Sequence, residues 1–428
     1  MSDFQYENEF FQILEEELVP AAGCTEPISL AFAGAKAREL LHGIPDKVSI
    51  ECSGNLIKNI RCVTVPNTGN LVGIEASLIA GIVGGDSSKG LQVISTITED
   101  HILIMHELLL KKIVTVRLLK SPLNLHYILT CIKGNESCEI EVKDMHTNIT
   151  SIKINNKIIF EKSAGNDEYC GVETDRSILS VQKIYEFANN ADIRKLEELL
   201  KIQVDYNMDI AEVGMKQNFG VAIGQTILKH DQSIYSQMKA YTAAASEARM
   251  SGCAMPVITN SGSGNQGLAT SIPVVLYARH KSISDEMMYR ALVLSNLLTI
   301  YQKSFIGRLS AFCGAISAAV SSGATLTYIE GGSVEQIKMA IINALANVSG
   351  VVCDGAKPSC AAKIVTGLEA GFLGHFLAME NHSYNPYSGI LKDDADETIH
   401  AVGKMARQGM KETDVVILNL MMEKEKVG

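Results

Sequence analysis

The stretch LHYILTCIKGNESCEIEVKD, residues 125–144, decides how the chain divides. Short apolar and alternating runs stand on either side of a Gly-Asn turn, the pattern of neighbouring strands. The same texture extends in both directions. KVSIECS (47–53), RCVTVPN (61–67), IVTVRLLK (113–120), TSIKINN (150–156) and KIIFEK (157–162) are short apolar or alternating runs closed by turn residues. They predict a strand-rich region over about 45–162, interrupted by helices near 71–84 and 97–112. Before it, FFQILEEEL and ISLAFAGAKARELLHG repeat apolar residues at helical spacing, so about 7–42 reads as helical up to Gly43. After it, KSAGNDEYCGVETD (162–175) reads as a linker. Beyond the linker, SILSVQKIYEFANN, SDEMMYRALVLSNLLTIYQKSF and their neighbours carry helical periods, and Ser333 opens a Ser-x-x-Gln capping pattern that closes at Gly350. The expected fold class is therefore α+β. Residues 1–44 are expected to form N-terminal helices packing on the helical domain, 45–165 a mixed strand-rich domain, and 175–428 a helical catalytic domain. The Ala, Gly and Ser of the C-terminal helices suit a closely packed bundle around a buried site.

Composition narrows the functions. A chain of 428 residues is too long for one ordinary core. Apolar residues make up 46% and charged residues 20%, as in globular proteins, and no run of about 18 apolar residues predicts a membrane span. The acidic start lacks the basic region of a secretory signal, so a cytoplasmic protein is expected. A formal net charge of −10 with no basic stripe argues against nucleic acid and anionic membranes as partners. Ten cysteines in a reducing compartment are not a disulfide framework. Cys52, Cys62, Cys131, Cys138 and Cys170 have no ligand spacing and read as ordinary thiols.

Three places can carry chemistry. In GCTEP (23–27), Thr25 can cap a helix opening at Glu26-Pro27. Cys24 would then lie at a helix N-terminus, whose partial positive charge favours a thiolate, while Glu26 beside it opposes one. The plain alternative is a small buried hydrophobe. In TNSGSGNQG (259–267), Gly262, Gly264 and Gly267 fit a dinucleotide fingerprint only formally, because Pro273 follows closely and helices surround the loop. An anion nest suits it better, with Ser261, Ser263, Asn265 and Gln266 as side-chain donors, and a carboxylate as ligand. A plain connecting loop is the alternative. In CDGAKPSC (353–360), Cys353 and Cys360 can face one metal, with Cys313 upstream in GRLSAFCGA and Cys253 as a further candidate. Zinc would want four ligands at tighter spacing, whereas three cysteines suit an iron–sulfur cluster with one open iron. His146 reads as a structural histidine, and Lys216 and Asn218 as a solvated turn.

Taken together and in order, PAAGCTEPISLA, GNLIKN, VTVPNTG, HTNI, SEARMSG, NSGSGNQG, GRLSAFCGA and GVVCDGAKPSCAAK resemble the L-cysteine desulfidase family. That family is related to the catalytic chain of iron–sulfur-dependent bacterial L-serine dehydratases, and the likeness covers about 10–420. The resemblance implies a 4Fe-4S enzyme without pyridoxal phosphate that converts L-cysteine to hydrogen sulfide, ammonia and pyruvate. It implies Cys313, Cys353 and Cys360 as cluster ligands and Cys24 as the base at Cα–H. Glu26 remains an alternative base or a partner for the substrate ammonium. Thr25 and the loop Asn260, Ser261, Gly262, Ser263, Gly264, Asn265 and Gln266 are expected to hold the amino-acid substrate. The competing expectations are L-serine or another β-substituted amino acid as substrate, a cluster-free amino-acid-binding or thiol-sensing protein, and a structural zinc protein. A homodimer is the expected assembly, with no motif to argue for it.

Overall fold

A computed structural model describes residues 6–162 and 174–423. The linker reading and Cys170 fall on residues 163–173 and lie outside the described residues. The chain begins with α1 (Glu7–Glu17), β1 (Pro20–Ala22) and α2 (Thr25–Leu40). Then come β2 (Lys47–Cys52), α3 (Gly54–Ile60), α4 (Gly73–Gly84) and α5 (Glu99–Leu110). The strands β3 (Val114–Leu118), β4 (His126–Lys133), β5 (Glu136–Lys143), β6 (Ile149–Ile154) and β7 (Lys157–Glu161) follow in close succession.

The opening stretch forms the hairpin β4–β5, closed by Lys133 opposite Glu136 across Gly134-Asn135. Its register sets Tyr127 against Val142, Leu129 against Ile140 and Cys131 against Cys138, all buried on one face. The sheet order is β3-β2-β4-β5-β6-β7; β2 and β3 run parallel and the other pairs antiparallel. The parallel pair is possible because α3 to α5 supply the crossover. Leu30, Ala33 and Ala37 of α2 and Leu78 and Ile82 of α4 pack on the buried face. A strand expected over 61–67 forms only a bridge between Thr64 and Val72. Pro66 has no N–H to continue a ladder, so the segment closes a loop instead.

Helices α2 and α4 touch backbone to backbone. A Cβ on Gly81 would stand 1.9 Å from the Ala31 carbonyl oxygen, which cannot swing away as a side chain could. Gly81→Ala is therefore expected to destabilise the protein by about 1–3 kcal/mol through overpacking, despite alanine's better helix propensity. Urea unfolding midpoints check this, and an unchanged or raised midpoint would refute the close approach.

The helical part comprises α6 (Val181–Asn190), α7 (Glu197–Lys216), α8 (Ile223–His230), α9 (Ile234–Met250), β8 (Pro256–Ile258) and α10 (Gly264–His280). It continues with α11 (Asp285–Ile306), α12 (Gly314–Ile329), α13 (Val334–Val348), α14 (Cys360–Met379), α15 (Ala395–Lys404) and α16 (Lys411–Glu423). The Ser333–Gln336 capping box opens α13 as its sequence predicts. Small residues set the helix spacing here too: a Cβ on Gly323 of α12 would meet the Gly371 carbonyl oxygen of α14 at 2.4 Å. The expected N-terminal helix pair is divided between the two parts. Phe10 and Phe11 of α1 pack on Phe187 in the helical core, whereas α2 packs on the sheet and α4.

Buried His375 on α14 bonds through Nδ1 with Thr327 Oγ1 at 2.9 Å. Burial holds its pKa down at about 4. Between the ordinary value of about 6.5 and 4, the unfolded chain binds a proton that the folded one refuses, so stability falls as pH falls through that window. At about 1.4 kcal/mol per unit, His375 accounts for up to about 3 kcal/mol of acid destabilisation. His375→Gln should flatten the dependence of the urea midpoint between pH 7 and 4; a slope equal to the wild type's would refute this.

Candidate active site

Two three-residue strands assemble the site. β1 pairs antiparallel with β8, Pro20 opposite Ile258 and Ala22 opposite Pro256. This sets the GCTEP segment, just after β1, beside the 259–267 loop, just after β8. The contact is sealed by Thr25, whose Oγ1 lies 2.9 Å from the Gly262 carbonyl oxygen. That tertiary acceptor also explains a difference from the sequence reading. Helix α2 starts at Thr25, and Cys24 rather than Thr25 occupies the N-cap position, with no side-chain cap bond.

Cys24 Sγ donates a hydrogen bond to Glu26 Oε2 at 2.9 Å, and Asn59 Nδ2 donates to Glu26 Oε1 at 3.1 Å. Burial pushes the Cys24 thiol well above its ordinary pKa, and the Glu26 carboxylate adds to the shift; Arg249 opposes it. Burial also acts to raise the Glu26 pKa, but His146, the Cys24 thiol, a backbone hydrogen bond and Arg249 together hold it below the usual carboxylate range. The resting pair is thus a thiol hydrogen-bonded to a carboxylate. The thiolate favoured by a helix N-terminus is outweighed here by desolvation and the adjacent anion.

The 259–267 loop is a tight turn, with Asn260 and Ser263 exchanging backbone hydrogen bonds of 3.1 and 3.0 Å around Ser261 (φ 50°) and Gly262 (φ 75°). Its expected substrate contacts divide. Ser263, Asn265 and Gln266 line one cavity of about 90 Å³ together with Cys24 and Glu26. Asn260 turns away into a buried amide network with Asn296, and Ser261 donates to Asn260 Oδ1. Gly262 and Thr25 face an adjoining cavity. Gly264 begins α10 and leaves room for Arg249, whose Nε would lie 2.3 Å from a Cβ there.

The three cysteines line the same cavity. Cys313 is the N-cap of α12 and Cys360 the first residue of α14. Cys353 joins them through a single bridge between Phe312 and Val352, which bonds Cys313 N to Val351 O at 2.9 Å and Cys353 N to Ala311 O at 2.6 Å. Burial, then Cys353 and Cys360, push the Cys313 thiol up to about 12; burial first, and Cys353 among lesser causes, also raise Cys360. Cys353 makes both Cys313 and Cys360 harder to ionise, and Cys360 does the same to Cys313, a conflict that a cation shared among them would reverse. Among the described residues no three His, Cys, Asp or Glu side chains converge on a single ion. What the three share is chemistry: thiolates are the donors that iron–sulfur clusters use, and all three line one cavity. Cys253 does not line this cavity.

The N-termini of α2, α10, α12 and α14 all border the cavity. Four helix ends with their free N–H groups favour anions there. Arg249, Lys303 and Arg308 add cationic side chains to the wall. Burial lowers the Lys303 pKa to about 8, even though Cys353 and Cys313 act to raise it. Asn59 Oδ1, Arg249 Nε and Gln266 Oε1 are buried without a partner. Orphaned polar atoms gathered on one cavity point to a ligand that completes them. Sequence reasoning singled out none of Asn59, Arg249, Lys303 or Arg308. The first lies in GNLIKN, the second in SEARMSG and the last in GRLSAFCGA, but nothing local separates a buried cation from a solvated one.

This anion-favouring pocket sets a hydrogen-bonded thiol–carboxylate pair beside three further thiols. A family model described as serine dehydratase alpha chain matches residues 88–419, and the chain belongs to that family, which is of lyase type. A UPF0597 protein from Treponema denticola is 46% identical over 420 residues, covering 97% of each chain. One from Finegoldia magna is 44% identical over 418 residues, 97% of this chain and 99% of its own. One from Lachnoclostridium phytofermentans is 46% identical over 412 residues, 96% and 98%. Among the described residues no helix is long and apolar enough to cross a membrane.

Arg249 has one guanidinium nitrogen, Nη1, bonded to Asn265 Oδ1 at 3.1 Å and another, Nε, free. Arg249→Lys keeps the charge but not the planar fork, and should raise the KM for an amino-acid substrate about 10-fold or more, an effect of one charged hydrogen bond. Steady-state kinetics check this; an unchanged KM would remove Arg249 from substrate binding.

Proposed function

We propose that this chain is a carbon–sulfur lyase that eliminates hydrogen sulfide from L-cysteine, leaving an aminoacrylate that hydrolyses to pyruvate and ammonia. The observation that carries the reading is that one cavity gathers the Cys24–Glu26 pair, three further thiols and four helix N-termini. Cys313, Cys353 and Cys360 would hold a 4Fe-4S cluster, which supplies a Lewis-acidic iron for the group leaving Cβ. The protein's own groups do the rest. Arg249, Ser263, Gln266 and the α10 N-terminus bind the substrate carboxylate and stabilise the charge that spreads into it as the Cα proton departs. Cys24 Sγ becomes a base when its proton has crossed to Glu26 Oε2, 2.9 Å away. Glu26 alone as the base, or as partner of the substrate ammonium, is the alternative arrangement.

A second reading, L-serine as substrate, is favoured by the family's description. A cluster held by Cys313, Cys353 and Cys360 would supply Lewis acidity for hydroxide as for hydrosulfide, so the same residues serve either substrate. The test is anaerobic reconstitution with iron and sulfide, removal of the excess, and parallel assays of L-cysteine and L-serine for sulfide and pyruvate. Sulfide and pyruvate from cysteine are expected. Pyruvate from serine alone moves the substrate and keeps the mechanism. A protein that binds no iron and turns over neither refutes both.

A further inference from the structure

An α-amino acid brings two charged groups to a site: a carboxylate, which needs donors, and an ammonium, which needs acceptors. Donors are plentiful on the active-site cavity, where Arg249, Lys303, Arg308 and four helix N-termini meet. Acceptors are few. Among the described residues Glu26 is the one carboxylate on the lining, and its oxygens already accept from Cys24 at 2.9 Å, Thr25 at 3.1 Å and Asn59 at 3.1 Å. Of the lining atoms buried without a partner, Arg249 Nε is a donor, whereas Asn59 Oδ1 and Gln266 Oε1 are acceptors.

Asn59 is the better placed of the two acceptors. It lies near the end of α3 and is only 6% exposed. Its Nδ2 donates to Glu26 Oε1, and this bond fixes which way the carboxamide points. Turned over, the amide oxygen would meet the carboxylate and repel it. Oδ1 is thus the end left without a partner. Gln266 instead lies against the start of α12, its Nε2 2.7 Å from a Cβ built on Gly314, the residue after Cys313. Position decides between them. The ammonium nitrogen is bonded to the same carbon that gives its proton to the Cys24–Glu26 pair, so its acceptor must adjoin that pair. Asn59 does, through a direct hydrogen bond. Its neighbour Lys58 donates to the Cys353 carbonyl oxygen and pairs with Asp414, which ties the same short helix to the thiol-bearing loop.

From this placement we infer that Asn59 Oδ1 accepts a hydrogen bond from the substrate's α-ammonium and makes an α-amino group a condition of tight binding, an inference that rests on the elimination reading above. A carboxamide suits the place better than a carboxylate. A second anion would stand beside Cys24, whose ionisation Glu26 already opposes, whereas a neutral oxygen holds the ammonium and leaves Glu26 to take the proton. The unpaired acceptor also gives discrimination. An amino acid satisfies Oδ1 on arrival, while an acid without the amino group leaves it buried and unpaired, which is how a polar site rejects an analogue that lacks one donor.

The test is calorimetric and needs no turnover. L-alanine and propionate share a carboxylate and a methyl group, carry no leaving group at Cβ, and differ in the ammonium. The reconstituted wild type should bind L-alanine more tightly than propionate. Asn59→Leu, close to asparagine in size, should weaken L-alanine about 10-fold or more, the worth of one hydrogen bond to a charged group, and leave propionate within about 2-fold. Asn59→Ala should show the same selective loss. Glu26→Gln keeps a carbonyl oxygen for Asn59 Nδ2 and should keep most of the preference for L-alanine. An unchanged affinity for L-alanine in both Asn59 variants, or an equal loss for the two ligands, would overturn the role of Asn59 and leave the elimination reading standing. So would a preference lost in Glu26→Gln but not in Asn59→Leu, which would give the ammonium to Glu26. A wild type that prefers L-alanine but eliminates from neither cysteine nor serine would overturn the elimination reading, with the Asn59 variants still deciding where the ammonium binds. A wild type with no preference for L-alanine would overturn the inference outright.

Discussion

Cys353→Ser is expected to strip the reconstituted protein of its iron and abolish turnover. Cys353 stands on a loop whose place is set by the bond from its N–H to Ala311, by Lys58 Nζ donating to its carbonyl oxygen at 3.3 Å, and by the close approach of Gly355 to Lys58. Lys58 is in turn fixed by the Asp414 carboxylate of α16. This framework survives the exchange of one sulfur for oxygen, so the fold should too. The hard, weakly acidic serine hydroxyl is a poor substitute for a thiolate on iron. Because loss of an outer-shell contact alone weakens metal sites by about 10- to 100-fold, loss of a ligand should cost about 100-fold or more. The measurement is iron per chain after anaerobic reconstitution and desalting, about four in the wild type for the proposed cluster. Cys313→Ser and Cys360→Ser should behave alike. Cys131→Ser, in the sheet core, should keep its iron. Wild-type iron in the Cys353 variant would refute the ligand assignment.

The elements of the fold were readable where periodicity speaks locally. Alternation around Gly134-Asn135 gave the hairpin, and the Ser333–Gln336 box gave the start of α13. The architecture of the site was readable only in part, for reasons of distance and length. β1 and β8 have three residues each, too few to show a period, yet their pairing is what brings Cys24 to the 259–267 loop. Cys313 and Cys353 are joined by a single bridge across forty residues of sequence, and the spacing said only that they could meet. Arg249 was invisible as a site residue because its burial and its free Nε are properties of the packed cavity. The same holds for Cys24. A helix N-terminus argued for a thiolate, but full burial beside Glu26 reverses the sign, and burial cannot be read from five residues.

That reversal shapes the second large effect. Glu26→Gln and Cys24→Ala should each leave iron bound while lowering kcat by about 100- to 10,000-fold, the range for removing a general base. In the resting pair the proton sits on sulfur and the charge on carboxylate, joined by a 2.9 Å bond. Glutamine removes the acceptor, so Cys24 cannot lose its proton; alanine removes the atom that takes the proton from Cα. If Glu26 were the base by itself, Cys24→Ala would keep kcat within about 10-fold, since only one hydrogen bond to the carboxylate would be lost. Comparing the two variants therefore decides between them, with iron content as the control that separates chemistry from cluster loss. Glu26→Gln carries a stability signature as well. A carboxylate whose folded pKa lies below its unfolded value stabilises the fold above the ordinary range and loses that contribution as pH falls through the folded value. The variant should thus be less stable than the wild type at pH 7, and the gap should close in acid. A gap that widens in acid would mean that Glu26 is held protonated, and the direction of the first proton transfer would have to be reversed.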